Sequence, residues 1–118
     1  MTNNEQLKNL IYKWIWAIWE GNDLNQFSQF YHSGAQGFAN GQTFNVQKLE
    51  ENFRLYHEKG SVTQVKILDL IFEKDAFALH AQLKSKVQDK TDENPLVFIG
   101  YIENDKINKF WFKTEKTI

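Results

Sequence analysis

The sequence predicts a single α+β domain, with three N-terminal helices packed on one face of a mostly antiparallel sheet. Three observations carry that prediction. Apolar residues recur at helical spacing through roughly the first half of the chain. From residue 62 the period drops to two, as in strands. The strand-like runs are joined by the short links EKD and ENDK, which imply antiparallel hairpins. A length of 118 residues fits one domain, 1–118, large enough for a real hydrophobic core.

The first helix carries Leu7, Leu10, Ile11, Trp14, Ile15 and Ile18 on one stripe, and Tyr12, Trp16 and Trp19 on a second. A helix apolar nearly all round is buried on more than one side. Gly21 stops it. Asp23 or Asn22 caps a short second helix, whose inner stripe is Leu24, Phe27, Phe30 and Tyr31. His32 ends that helix, where an imidazolium suits the helix dipole. Gly34, Gly37 and Gly41 mark SGAQGFANGQ as a looping stretch. Asn45 caps the third helix, with Phe44 and Leu49 spaced as a hydrophobic staple. Val46, Leu49, Phe53 and Tyr56 mark its inner face, Gly60 suits its C-terminal cap, and the charges of KLEENFRLYHEK form a solvated face.

In the strand region Val65, Ile67 and Ile71 alternate with Leu68, Leu70 and Phe72. Phe77, Leu79, Ala81 and Leu83 then alternate with Ala78, His80, Gln82 and Lys84. QDKTDENP reads as a polar loop, followed by the runs LVFIGYIE and INKFWFK.

Composition removes several classes of function. With 14 basic and 15 acidic residues, no net field draws the chain to nucleic acid or to an anionic membrane. The absence of cysteine excludes disulfides and thiolate chemistry. MTNNEQLKNL lacks the pattern of a signal peptide, and LIYKWIWAIW is too short to span a bilayer and carries Lys13. A soluble, cytoplasmic protein is expected. His32, His57 and His80 show no paired spacing, so neither a metal site nor a cofactor is expected. There is no phosphate-binding loop and no nucleophile elbow.

Four segments carry a family resemblance. WEGNDLNQFSQFYH resembles the helix–Gly–Asx–Leu–helix opening of SnoaL-like proteins in the nuclear transport factor 2-like superfamily. GFANGQTFNVQKLEENF is similar to their strand–Gly–helix segment, LIFEKDAFALHAQLKSK to their central hairpin, and DKINKFWFKTE to their last strand. The resemblance implies a cystatin-like cone, in which helices roof a strongly curved sheet around a central pocket for small, mostly apolar molecules. It also implies a homodimer through the sheet. The chemistry of the best-known members does not carry over. The two acids of ketosteroid isomerases fall near Phe38 or Ala39 and near Val97, and their phenol near Trp14 or Ile15. The Arg-x-Asp pair of epoxide hydrolases falls on His80-Ala81-Gln82, without either charge.

One pair remains as candidate catalytic residues. A turn at Lys74-Asp75 sets Phe72 opposite Phe77, Leu70 opposite Leu79 and Asp69 opposite His80, with Gln82 on the same face. A carboxylate beside histidine orients the imidazole and favours its protonated form, which suits a general acid or base. Two placements stay open. The pair lines the pocket, or the greasier opposite face is the core and the pair lies outside or at a dimer contact. Tyr12, Trp16, Tyr31, Phe53, Phe98, Tyr101 and Trp111 are the candidate pocket lining, with His57 at its rim. Such a pocket takes a small apolar or aromatic organic ligand. The expected function is small-molecule binding with a proton transfer by His80 oriented by Asp69: isomerisation, cyclisation or dehydration. The alternative is a non-catalytic dimeric module that binds a ligand or another chain.

Overall fold

The computed structural model describes residues 4–21, 23–59, 61–87 and 89–114. Helix α1 (Asn4–Trp14) runs into a π-helical turn (Ile15–Glu20), and a 3₁₀ turn (Leu24–Gln26) leads into the short α2 (Phe27–Phe30). Strands β1 (Tyr31–Ala39) and β2 (Gln42–Asn45) precede α3 (Val46–Lys59). Strands β3 (Ser61–Glu73), β4 (Ala76–Val87), β5 (Lys90–Glu103) and β6 (Lys106–Thr114) complete an open sheet of order β2-β1-β6-β5-β4-β3. Among the described residues only β1 and β6 pair in parallel. Three helices on a six-stranded, mostly antiparallel sheet is the architecture the periodicity predicts. The expected caps Asn22 and Gly60, and the side chain of Tyr56, lie outside the described residues.

The π-turn explains the fate of the second aromatic stripe. In a regular α-helix Trp19 would share a face with Tyr12 and Trp16. The wider π-turn, closed by Gly21 N–H donating to Trp16 O at 2.9 Å, winds less per residue. It carries Trp19 round to the buried face with Ile15 and Ile18, and leaves Trp16 74% exposed.

Two predicted loops are strands. Residues 33–42 form most of β1, the Asn40-Gly41 turn and the start of β2. Both turn residues have positive φ, 50° and 81°, as a tight two-residue hairpin requires. Most of QDKTDENP belongs to β5, which pairs with β4 out to Val87 opposite Lys90. This end of the hairpin projects as a polar ribbon, so it gives no apolar alternation to read. His32 also differs from expectation. The chain is already extended at Tyr31, and His32 lies in β1, not at a helix end.

The β3–β4 register is the predicted one: Leu70 faces Leu79, Phe72 faces Phe77, and Asp69 faces His80 across the Lys74-Asp75 turn. A bulge at Leu68 shifts the parity of β3, so Val65 and Ile67 join Leu70 and Phe72 on the face beneath the helices. Two glycines lie under aromatic rings there. A Cβ at Gly37 would stand 2.2 Å from the Phe110 ring, and one at Gly100 would stand 2.4 Å from the Phe77 ring.

The core lies between the helices and the inner face of the sheet. Asn45 caps α3, with its Oδ1 accepting from Lys48 N–H at 2.8 Å, and the staple residues Phe44 and Leu49 are both buried. Val65 N–H donates to the Glu20 carboxylate at 2.6 Å, which ties β3 to the π-turn.

Candidate functional site

The predicted pocket-lining residues divide into three separated groups. Tyr31, Phe53 and Phe98 are fully buried in the core. Their rings belong to a continuous aromatic cluster: Phe98 packs on Trp14 at 4.7 Å between centroids, Phe98 on Phe112 at 5.6 Å, Phe53 on Trp19 at 4.9 Å and Tyr31 on Phe27 at 4.6 Å. These rings occupy the bowl of the cone, where a central pocket was expected.

Tyr12 and Trp16 form the second group, on the outside of α1 and its π-turn. They line a surface cleft of about 380 Å³ over β3, with Val65 and Ile67 beside them. Tyr101 and Trp111 form the third group, exposed on the sheet face turned away from the helices. The expectation that all seven rings line one hollow is therefore corrected. Burying one stripe of α1 turns Tyr12 and Trp16 outward. Strand parity turns Tyr101 and Trp111 to the face opposite Phe98 and Phe110.

Asp69 and His80 do meet. His80 Nδ1 lies 3.0 Å from Asp69 Oδ2, with side-chain exposures of 45% and 67%. They stand on the outer face with Val97 alongside. The inner positions of the same hairpin are filled by Phe77, Leu79, Ala81 and Leu83. The pair forms as predicted, but on open sheet rather than on a pocket wall. Gln82 shares that face, half-buried.

Two titratable groups on the helix side are perturbed. Burial pushes the Tyr31 phenol far above its usual range, and a hydrogen bond from Trp14 Nε1 to its oxygen, at 3.1 Å, opposes this only in part. Burial lowers the pKa of His57, and a hydrogen bond with the backbone of Ile18 works the other way. His57 packs beside Phe53, with ring centroids 6.3 Å apart, at the edge of the core.

Sequence reasoning missed the pattern on the outer face. Phe38, Trp111, Ile99, Ala78 and Ile71 stand in register on β1, β6, β5, β4 and β3, one apolar row across five strands. Phe38, Trp111 and Ile71 are exposed, and Ile99 and Ala78 are half-buried. One flanking row runs Lys113, Val97, His80, Asp69, and the other runs Lys109, Tyr101, Ala76, Glu73. Each flank starts with a lysine on β6 and ends with an acid on β3. The signal was available in the alternation of INKFWFK and LVFIGYIE, once the rings are sorted by parity instead of by type.

No protein-family model and no curated protein matches the sequence. Solved structures do match in shape. AclR of Streptomyces galilaeus, described as a candidate hydroxylase, superposes with a TM-score of 0.84 at 13% identity, over 96% of this chain and 91% of that one. PrhC of Penicillium brasilianum gives 0.83 at 16% identity, over 97% and 83%. IdmH of Streptomyces antibioticus, a candidate polyketide cyclase, gives 0.80 at 10% identity, over 93% and 92%. The chain has the nuclear transport factor 2-like cone fold, the fold of SnoaL-like and ketosteroid isomerase-like proteins. A designed protein with a curved sheet has it too, so the fold by itself assigns no reaction. No helix among the described residues is long and apolar enough to cross a membrane.

Proposed function

We propose that this domain is a homodimeric ligand-binding or interaction module that associates through the outer face of its sheet, with its interior serving as core. The apolar row from Phe38 to Ile71 carries the reading. A contiguous apolar band across a sheet is unusual on the surface of a monomer and marks an association site. The charges support a second copy as the occupant. A two-fold axis along the strands lays the β6 side of one copy over the β3 side of the other, so Lys109 and Lys113 of each protomer meet Glu73 and Asp69 of its partner. A two-fold axis across the strands would set lysine over lysine. In this reading His80 and Asp69 form a polar pair in the dimer seam, and the aromatic-filled bowl favours the module over a catalyst acting at that pair. The cysteine-free composition fits a cytoplasmic setting.

Light scattering across a concentration series is the test. The wild type is expected to be a dimer, and Lys109→Glu with Lys113→Glu is expected to yield monomers. Adding Asp69→Lys and Glu73→Lys should restore the dimer. A wild type that stays monomeric, or a fourfold variant no better than the double, ends the reading.

A further inference from the structure

Away from the sheet face, one recess combines volume, an aromatic base and two charges of opposite sign. It lies between α2, the first turns of α3 and the β5–β6 hairpin, and measures about 550 Å³. That is within the roughly 300–1,000 Å³ of typical small-molecule sites. Phe27 and Tyr31 border its base, almost wholly buried, with their rings stacked 4.6 Å apart at an interplanar angle of 12°. Leu24 and Val46 extend the apolar surface.

The polar groups come from three different elements. Glu50 projects from α3, Lys106 opens β6, and His32 follows Tyr31 in β1. All three are half-buried. Among the described residues Glu50 and Lys106 form no ion pair with each other or with another side chain. His32 Nε2 lies 2.5 Å from Glu103 O. A carbonyl oxygen only accepts, so Nε2 carries a hydrogen and the neutral ring keeps Nδ1 as an acceptor.

We infer that this recess binds a small zwitterion, an α-amino acid with an aromatic or aliphatic side chain. The ligand's ammonium answers Glu50, its carboxylate answers Lys106, and its side chain covers the base beside Phe27. His32 Nδ1 adds an acceptor for a second ammonium hydrogen. A ligand with one charge leaves the other half-buried protein charge to be desolvated without a counter-ion, which is unfavourable. Opposite charges on separate walls therefore select a ligand that carries both. This inference is independent of association through the sheet.

The test is a titration of the full chain, followed by backbone amide NMR, with three compounds of one shape: L-phenylalanine, 2-phenylethylamine and 3-phenylpropionate. Phenylalanine is expected to shift amides of residues 24–33, 46–50 and 106, and to bind about tenfold more tightly than either analogue. Glu50→Gln should lower its affinity to that of phenylpropionate, and Lys106→Met to that of phenylethylamine, with the amide spectra otherwise retained. Shifts confined to other regions, no shifts at all, or a singly charged analogue binding as tightly as phenylalanine would overturn the inference.

Discussion

The two faces of this sheet are built from the same residue classes and do different work. The inner face stacks Phe77, Phe98, Phe110 and Phe112 against Trp14 and Trp19, all fully buried. The outer face carries Phe38, Trp111, Ile71 and Tyr101, each more than two-fifths exposed. Aromatic content therefore measures how much apolar area a sheet offers, not where it goes. Parity and the bulge at Leu68 decide that. A ring on the inner face holds the fold together. A ring on the outer face is surplus to the monomer and becomes useful when something covers it.

The sharpest way to break this contrast is truncation on each side. Phe98→Ala removes a fully buried ring that touches Trp14, Phe77, Phe110 and Phe112, and should cost about 3–5 kcal/mol in urea unfolding. Ile71→Thr, at a position 64% exposed, should change monomer stability by no more than roughly 0.5 kcal/mol and weaken self-association instead. Equal losses from the two would erase the distinction.

A smaller effect is expected at the edge of the inner face. Burial lowers the His57 pKa, so the unfolded chain takes up a proton more readily than the folded one. Stability should be complete above the unfolded value of about 6.5 and fall as pH drops below it. His57→Leu should flatten that part of the profile, read from urea midpoints at pH 7.5 and 5.5. Parallel profiles for the two proteins would remove His57 from the account. The smallest effect belongs to Asp69→Asn. The pair is exposed on both sides, so its loss at monomeric dilution should cost no more than about 0.3 kcal/mol by chemical denaturation. A larger loss would mean that the outer face stabilises the monomer as well.

Elements with one buried side were legible in the sequence. The staple at Phe44 and Leu49, the cap at Asn45 and the Asp69–His80 register all rest on spacing that a core or a turn fixes. The β1–β2 hairpin escaped because three glycines resembled a loop, although Asn40-Gly41 is itself a hairpin signal. The polar ribbon of β4 and β5 escaped because residues 84–86 and 90–94 are polar on both sides, the buried Ser85 included, and give no apolar alternation. The fate of Trp16 and Trp19 depends on one wide helical turn, which shifts phase without changing composition. For the candidate site, the pairing of Asp69 with His80 was readable but its side of the sheet was not. Leu68 looks like a core residue until the bulge is known. Glu50 and Lys106 were overlooked because each reads alone as a solvated charge, and only folding sets them in one recess with Phe27.

The single parallel pairing also orders events in time. β1 leaves the ribosome some seventy residues before its neighbour β6, and until β6 arrives it holds only the four-residue β2. Every nascent chain therefore passes through a stage with an open strand edge between residues 31 and 39, and sheet closure waits for residues 106–114. Quality control in the cell would meet this domain as an unfinished sheet whose last-made strand fills its middle.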